Sequence, residues 1–325
     1  MIKIFRTNII QQILIITLVA LLMWVRVFVH QTPMPAGKSI LYAPIYSLLS
    51  KLPLLASILG FVLVVAEGFL FNALLYERKM IPSNTLLPTL VYIVAMSITD
   101  EMRTLSPIVI SNLFIILTLR QLLLSSSLLS ISTEKVFGAA LLIAMATLFY
   151  TPAILFLVPL LIIFIIYQLY SWRDWVIMIL GFLAPFVAIF TYFFIAGKMD
   201  GMMKLLVSEM TQLNFGTVQT DILQYAATLF FVLFLVVSLL YLPSIASNSV
   251  VAFRKNTAVI GVLTISSLAL MPYYRIFPPN CQLFALPIAF SGSIFLLNVK
   301  GKEWIWNTML TLWLVISVCG CNISL

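Results

Sequence analysis

Histidine occurs once in these 325 residues, at position 30, and cysteine only three times, at 281, 319 and 321. That scarcity excludes whole classes of chemistry. A His-based zinc or iron site needs several imidazoles, and a Ser-His-Asp triad needs one held beside a serine and an acid. None of the cysteines stands at metal-ligand spacing from His30. The expectation is buried free thiols, with no metal and no cofactor. Charge is scarce too. Asp, Glu, Lys and Arg make up 9% of the chain, against about 25% in an ordinary soluble domain. The longest polar stretch, from Gly197 to Asp221, holds about 25 residues. No soluble domain fits in it, so residues 1–325 read as a single integral membrane domain.

What fills the chain is apolar. Hydrophobic residues make up 63% and the mean hydropathy is +1.16. No soluble core needs that much apolar surface, so lipid is the expected solvent. The net charge of +8 would suggest nucleic acid in a soluble protein. Here it reads as Lys and Arg at the cytoplasmic ends of spans, facing anionic lipid. No nucleic-acid partner is expected.

A spanning helix takes about 20 mostly apolar residues. On that basis the sequence predicts an all-α polytopic membrane bundle of about eleven transmembrane helices. The first covers about Ile9 to Val29, behind Lys3 and Arg6, and reads as an uncleaved span. His30 to Lys51 reads as a loop with a short interfacial helix around Tyr42 and Tyr46. Further spans follow at about Pro53 to Tyr76, Leu86 to Ile98, Pro107 to Leu124, and a hairpin between Lys135 and Trp175 broken at Thr151-Pro152. The remaining spans lie at about Trp175 to Ala196, Ile222 to Ser244, Ala258 to Met271, Leu283 to Leu297 and Trp304 to Cys319. Between two of them, residues 198–221 place Met199, Met203, Leu206, Met210 and Leu213 at spacings of three and four. That pattern predicts an amphipathic helix in the interface plane, on the outer side.

Basic residues orient the bundle. With the amino terminus inside, eleven of the eighteen Lys and Arg fall on inner loops and span ends, and seven fall outside. Trp172-Arg173-Asp174-Trp175 is expected as an inner turn, and Arg254-Lys255 as an inner loop.

Three groups of residues are candidates for chemistry. Glu67 lies deep in the second span, in VVAEGFLFN. A charge there costs about 2.5–3.5 kcal/mol on insertion scales, so it should face protein or water. Counted from the span starts at Pro53 and Pro107, Glu67 and Arg120 both stand roughly 20 Å from the outer end. They are expected to form an intramembrane ion pair; a proton or cation relay is the functional alternative for Glu67, and an acid snorkelling to the inner surface is the third. The second group is Asp100, Glu101 and Arg103, on the outer side. Asp100 and Glu101 are the candidate catalytic acids, as general base or as ligands of a metal held by a sugar-phosphate donor; a merely solvated acidic pair is the plainer reading. The third group is outer cations with aromatics: Arg26, Lys38, Tyr273, Tyr274 and Arg275. Arg26, Arg103, Tyr274 and Arg275 are the candidate lipid-phosphate ligands. Interfacial anchoring explains the same residues without a ligand.

Several segments resemble a family of uncharacterised multi-pass inner-membrane proteins of Bacteroidota. They are FRTN followed by an apolar span, NTLLPTLVYIVAM, SPIVISNLFIILTLRQL, and FGAALLIAMATLFYTPAILFLVPLLIIF with WRDW after it. The resemblance implies a bacterial inner membrane and carries no activity. The order of parts is also similar to polytopic glycosyltransferases that use polyprenyl-phosphate-linked sugars, through Pro44-Ile45-Tyr46 and the small-residue span from Gly138 to Pro152. Those enzymes place an essential acid in the first outer loop. Here His30 to Lys51 contains no Asp or Glu, which leaves Asp100 and Glu101 as the substitutes. The resemblance implies a glycosyltransferase-like scaffold that binds or uses a lipid-linked sugar at the outer face. Its partners would be membrane lipids, among them a polyprenyl-phosphate lipid. Two other readings stay open: a non-enzymatic subunit with protein partners in an envelope assembly or secretion complex, and a proton-coupled transporter or flippase.

Overall fold

The structure is a computed structural model that describes residues 5, 8–30, 32–35, 39–82, 84–98, 102–123, 132–167, 171–211, 222–247, 249–274, 281–298 and 303–322. The described residues contain no strand. They form thirteen α-helices: α1 (Ile9–His30), α2 (Tyr42–Leu49), α3 (Pro53–Glu77), α4 (Leu87–Met96), α5 (Pro107–Leu122), α6 (Thr133–Phe149), α7 (Leu157–Ile166), α8 (Trp172–Ile195), α9 (Met199–Thr211), α10 (Ile222–Ser247), α11 (Val251–Tyr274), α12 (Ala285–Asn298) and α13 (Glu303–Asn322). Short 3-10 segments, Thr151–Phe156 and Cys281–Phe284, lead into α7 and α12.

Local sequence explains where the helices begin. Pro53, Pro88 and Pro107 stand in the first positions of α3, α4 and α5, where a missing N–H costs nothing and φ is already helical. Ser106 caps α5 by accepting from the Val109 amide at 3.3 Å. The Thr151-Pro152 break falls as expected: α6 stops at Phe149 and the chain tightens to 3-10 before α7. Two polar stretches read as loops prove to be helical. Trp172 to Trp175 is the start of α8, with Asp174 favourably placed at its positive end. Arg254 and Lys255 lie within α11, which begins at Val251.

Four helices, α1, α3, α8 and α10, are long and apolar enough to cross a bilayer, and several shorter apolar helices accompany them. The chain is an all-α, multi-pass membrane protein. The eleven-span expectation counted α4 as a full crossing. Its ten residues reach only about 15 Å, half of the ~30 Å hydrocarbon layer. It serves instead as a core helix, with all ten residues buried. Its main partner is α12, buried continuously from Ala285 to Leu296. Helices apolar on every side belong at the centre of a bundle, and α4 and α12 occupy it. At the periphery, α8 buries only Met178 and Gly181 along 24 residues, leaving a broad apolar face for lipid.

Gln12 fixes the direction of α1. Its amide donates to the Asn84 carbonyl and accepts from the Leu86 N–H, each at 2.7 Å. The start of α1 therefore lies beside the start of α4, just past the end of α3. The other end of α1 meets the end of α4, where Trp24 Nε1 donates to Ser97 Oγ at 2.9 Å. So α1 and α4 run in parallel, and α3 runs against them. Gly60 of α3 packs directly on the backbone at Thr104 and Leu105; a Cβ there would stand 2.9 Å from the Leu105 nitrogen.

Candidate functional site

Two polar groups interrupt this apolar core. The first lies at mid-bundle. Tyr92 of α4 donates its hydroxyl to Glu67 Oε2 of α3 at 2.7 Å, with Asn112 of α5 beside the phenol. Glu67 Oε1 is buried and has no hydrogen-bond partner. Beside this pair, Thr89 donates to the Gly68 carbonyl at 3.1 Å, so α4 is stitched to one turn of α3 twice.

The expected Glu67–Arg120 ion pair does not form, because each residue has another partner. Arg120 Nη2 lies 3.2 Å from Glu77 Oε1, and both side chains are substantially exposed at 54% and 44%. Arg78 donates to the Arg120 carbonyl at 2.6 Å. Pro53 is not level with Pro107: the residue of α3 that touches the approach to α5 is Gly60. That shift of seven residues, about 10 Å along the axis, carries Arg120 past Glu67 and sets it beside Glu77.

The second group gathers at the other end of the bundle, where α1 and α4 finish. Arg103 is completely buried and donates from Nη1 to the Met23 carbonyl at 2.6 Å. Arg26 follows Met23 by three residues, so it occupies the same face of α1. It is half-buried, and its Nη1 is shielded from solvent without a hydrogen-bond partner. Gln282, in the 3-10 segment before α12, donates to the Met102 carbonyl at 3.0 Å. Its own carbonyl accepts from Asn112 Nδ2 at 3.2 Å. The phenol oxygen of Tyr42 lies 2.9 and 3.0 Å from the carbonyl oxygens of Leu105 and Pro35, which share its single proton. Tyr42 is therefore a buried strut rather than an interfacial anchor.

Of the candidate ligands, Arg26 and Arg103 are held at one turn of α1. Asp100, Glu101 and Arg275 lie outside the described residues, as does the side chain of Tyr274, the last residue of α11. Among the described residues, no cluster of three or more His, Cys, Asp or Glu could hold a metal ion. Sequence reasoning missed Tyr92, Asn112 and Gln282. Each had a faint signal: one polar side chain inside an otherwise apolar run, or just after a proline pair.

At this end of the bundle Arg26 presents a half-buried guanidinium, and the wholly buried Arg103 is tied to the same stretch of α1 through the Met23 carbonyl. A guanidinium fork matches the oxygens of a phosphate or carboxylate. At mid-bundle, Glu67 offers a buried carboxyl held by the Tyr92 phenol, with the Leu113 backbone also close to it, a group suited to holding a proton or a structural hydrogen bond. Comparisons with protein-family models, with curated proteins and with solved structures find no match to this chain.

Proposed function

We propose that this chain is an inner-membrane protein of a bacterial envelope that binds a lipid-linked phosphate, such as a polyprenyl-phosphate sugar, at the outward-facing end of α1. The observation that supports the reading is Arg26 Nη1, buried and unpartnered one turn from the wholly buried Arg103. A shielded guanidinium nitrogen without an acceptor costs stability, because hydration is lost and nothing replaces it. A phosphate oxygen would satisfy it. Arg26 stands four residues before the end of α1, about 6 Å in projection, within reach of that end for a long side chain. We take this end as the outer one on the bias of basic residues.

In this reading Arg26 holds the phosphate, and Arg103 braces the turn that carries it. Asp100 and Glu101 follow Ile98 and precede Met102 in sequence, and we assign them to the sugar, as general base or as ligands of a donor-bound metal. The test is the lipid that co-purifies with the full-length protein. Polyprenyl phosphate extracted from wild type and from Arg26→Gln is quantified by mass spectrometry. Loss of the lipid from the variant, at unchanged thermal stability, is the expected result; equal retention refutes the proposal.

A further inference from the structure

At the opposite end of the bundle, the connection after α3, the turn between α10 and α11, and the end of α12 line an open cavity of about 420 Å³. Its size falls in the range of small-molecule sites. Its wall is mixed: Lys79, Ser249 and Asn298 contribute polar groups, while Met80, Phe253 and Leu297 contribute apolar surface.

Lys79 is held there at a cost. It is the one non-glycine residue with positive φ among the described residues, at 53°. The backbone around it closes α3 in a Schellman motif: the Lys79 amide donates to the Tyr76 carbonyl and the Met80 amide to the Leu75 carbonyl, each at 2.9 Å. Glycine is the usual residue at that position, because the left-handed conformation is unfavourable for any residue with a Cβ. A lysine stands there instead, at the rim of a cavity, and it makes no ion pair among the described residues. The nearest acid in sequence, Glu77, is engaged by Arg120.

Arg78 adjoins Lys79 in sequence, and Arg254 and Lys255 follow the cavity-lining Phe253 on α11, Lys255 with its ammonium 6.0 Å from the centre of the Tyr167 ring. The start of α11 carries no acid in its first turn, so its positive end is left uncompensated and adds to the same field. The far wall is ordered by polar packing: Asn256 accepts from the Tyr167 hydroxyl at 3.1 Å and donates to Met80 Sδ at 3.7 Å. The cavity is thus cationic at its rim and apolar at its wall, which is the profile of a phosphate group carrying an apolar tail.

We infer that this cavity is a binding site for a phosphate-bearing anion, with Lys79 as its charged ligand and the second amide N–H of Asn298 as its hydrogen-bond donor; the first donates to the Ile294 carbonyl at 2.9 Å, and the Ser249 hydroxyl is spent on the Ile245 carbonyl at 2.8 Å. It lies at the other end of the bundle from Arg26 and does not depend on the function proposed above.

The test uses full-length protein in detergent micelles and native mass spectrometry. The probes are dioleoylphosphatidylglycerol, with dioleoylphosphatidylcholine as reference, and inorganic phosphate as competitor. Lys79→Gly and Lys79→Gln should each weaken phosphatidylglycerol binding about fivefold, the effect of one interfacial cation. Lys79→Gly should also raise the melting temperature, because glycine accepts the left-handed backbone; the loss of binding then is not a loss of folding. Competition by millimolar inorganic phosphate would make the ligand a soluble phosphate compound. Binding that resists inorganic phosphate would make it a lipid headgroup. Arg26→Gln should leave this lysine-dependent binding as it is, whatever it does at the other end. Lys79 variants that bind both probes as wild type does would overturn the inference.

Discussion

The Tyr92 hydroxyl meets Glu67 Oε2 at 2.7 Å, and this bond joins two side chains across α3 and the central helix α4, beside the Thr89–Gly68 contact. It places an acid at mid-bundle that forms no ion pair among the described residues. The carboxyl is held by a neutral donor, which fits either a structural hydrogen bond or a site where a proton resides. The two roles separate by mutation. Tyr92→Phe removes the donor and leaves Glu67 buried with neither oxygen satisfied by Tyr92. It should destabilise the protein by about 1–2 kcal/mol. Glu67→Gln keeps a carbonyl oxygen for the phenol to donate to and removes the burden of burying an acid. Thermal denaturation in detergent should show it near neutral. A Glu67→Gln protein that is fully stable yet loses its cellular function would move the site from scaffold to proton handling.

Arg120 and Glu77 form their pair on the surface, and exposed ion pairs contribute little. Arg120→Gln should cost under about 1 kcal/mol. Combined with Glu67→Gln, its effect should add, since the two residues have separate partners. A double mutant clearly more stable than the sum of its single changes would restore a direct Glu67–Arg120 coupling.

The division between what could be read from sequence and what could not is visible in these residues. Glu67 stood out because it is a lone acid in an apolar run, and an acid inside a span must find a partner. Its partner was hidden for two reasons. Rise per residue gives height along one helix but neither its rotation nor its offset from its neighbours, and Gly60 shows that α3 begins well before α5 does. A tyrosine in an apolar segment also reads as a headgroup anchor, whereas Tyr42 and Tyr92 are both buried. The all-helical membrane character was legible because it depends on composition alone. The number of crossings was less so, because α4 is as apolar as a span but only ten residues long. At the Arg26 end the cations were legible and their support was not. Gln282 and Met102 are 180 residues apart, and no local pattern connects them.

The close approach at Gly60 gives a steric prediction. Alanine there would set its Cβ 2.9 Å from backbone atoms of Thr104 and Leu105, which cannot rotate away. Gly60→Ala should cost about 1–3 kcal/mol, as overpacking does. Gly138→Ala is the control: the nearest atom to its Cβ is 3.7 Å away, on the flexible side chain of Gln121. There the gain in helix propensity should dominate and the melting temperature should hold or rise. Equal destabilisation by both would mean that α3 does not rest on the backbone before α5.

Gln282 offers the most direct probe of how the Arg26 end is assembled. Its side chain donates to the Met102 carbonyl, and its backbone carbonyl accepts from Asn112. It therefore clamps the segment carrying Arg103 against the start of α12. Gln282→Leu retains the volume and apolar contact but removes the amide, leaving a buried carbonyl short of that donor. A loss of about 1–2 kcal/mol is expected, with faster amide hydrogen exchange at Met102 to Leu105 than in α10, which packs elsewhere on α12. Asn112→Ala leaves the Gln282 side chain in place and should loosen this segment less. If Arg103 positions Arg26 for a phosphate, Gln282→Leu should also lower lipid retention, although Gln282 itself is assigned no contact with lipid. Retention unchanged in a protein whose Met102 to Leu105 segment exchanges freely would show that Arg26 holds its ligand without support from Arg103.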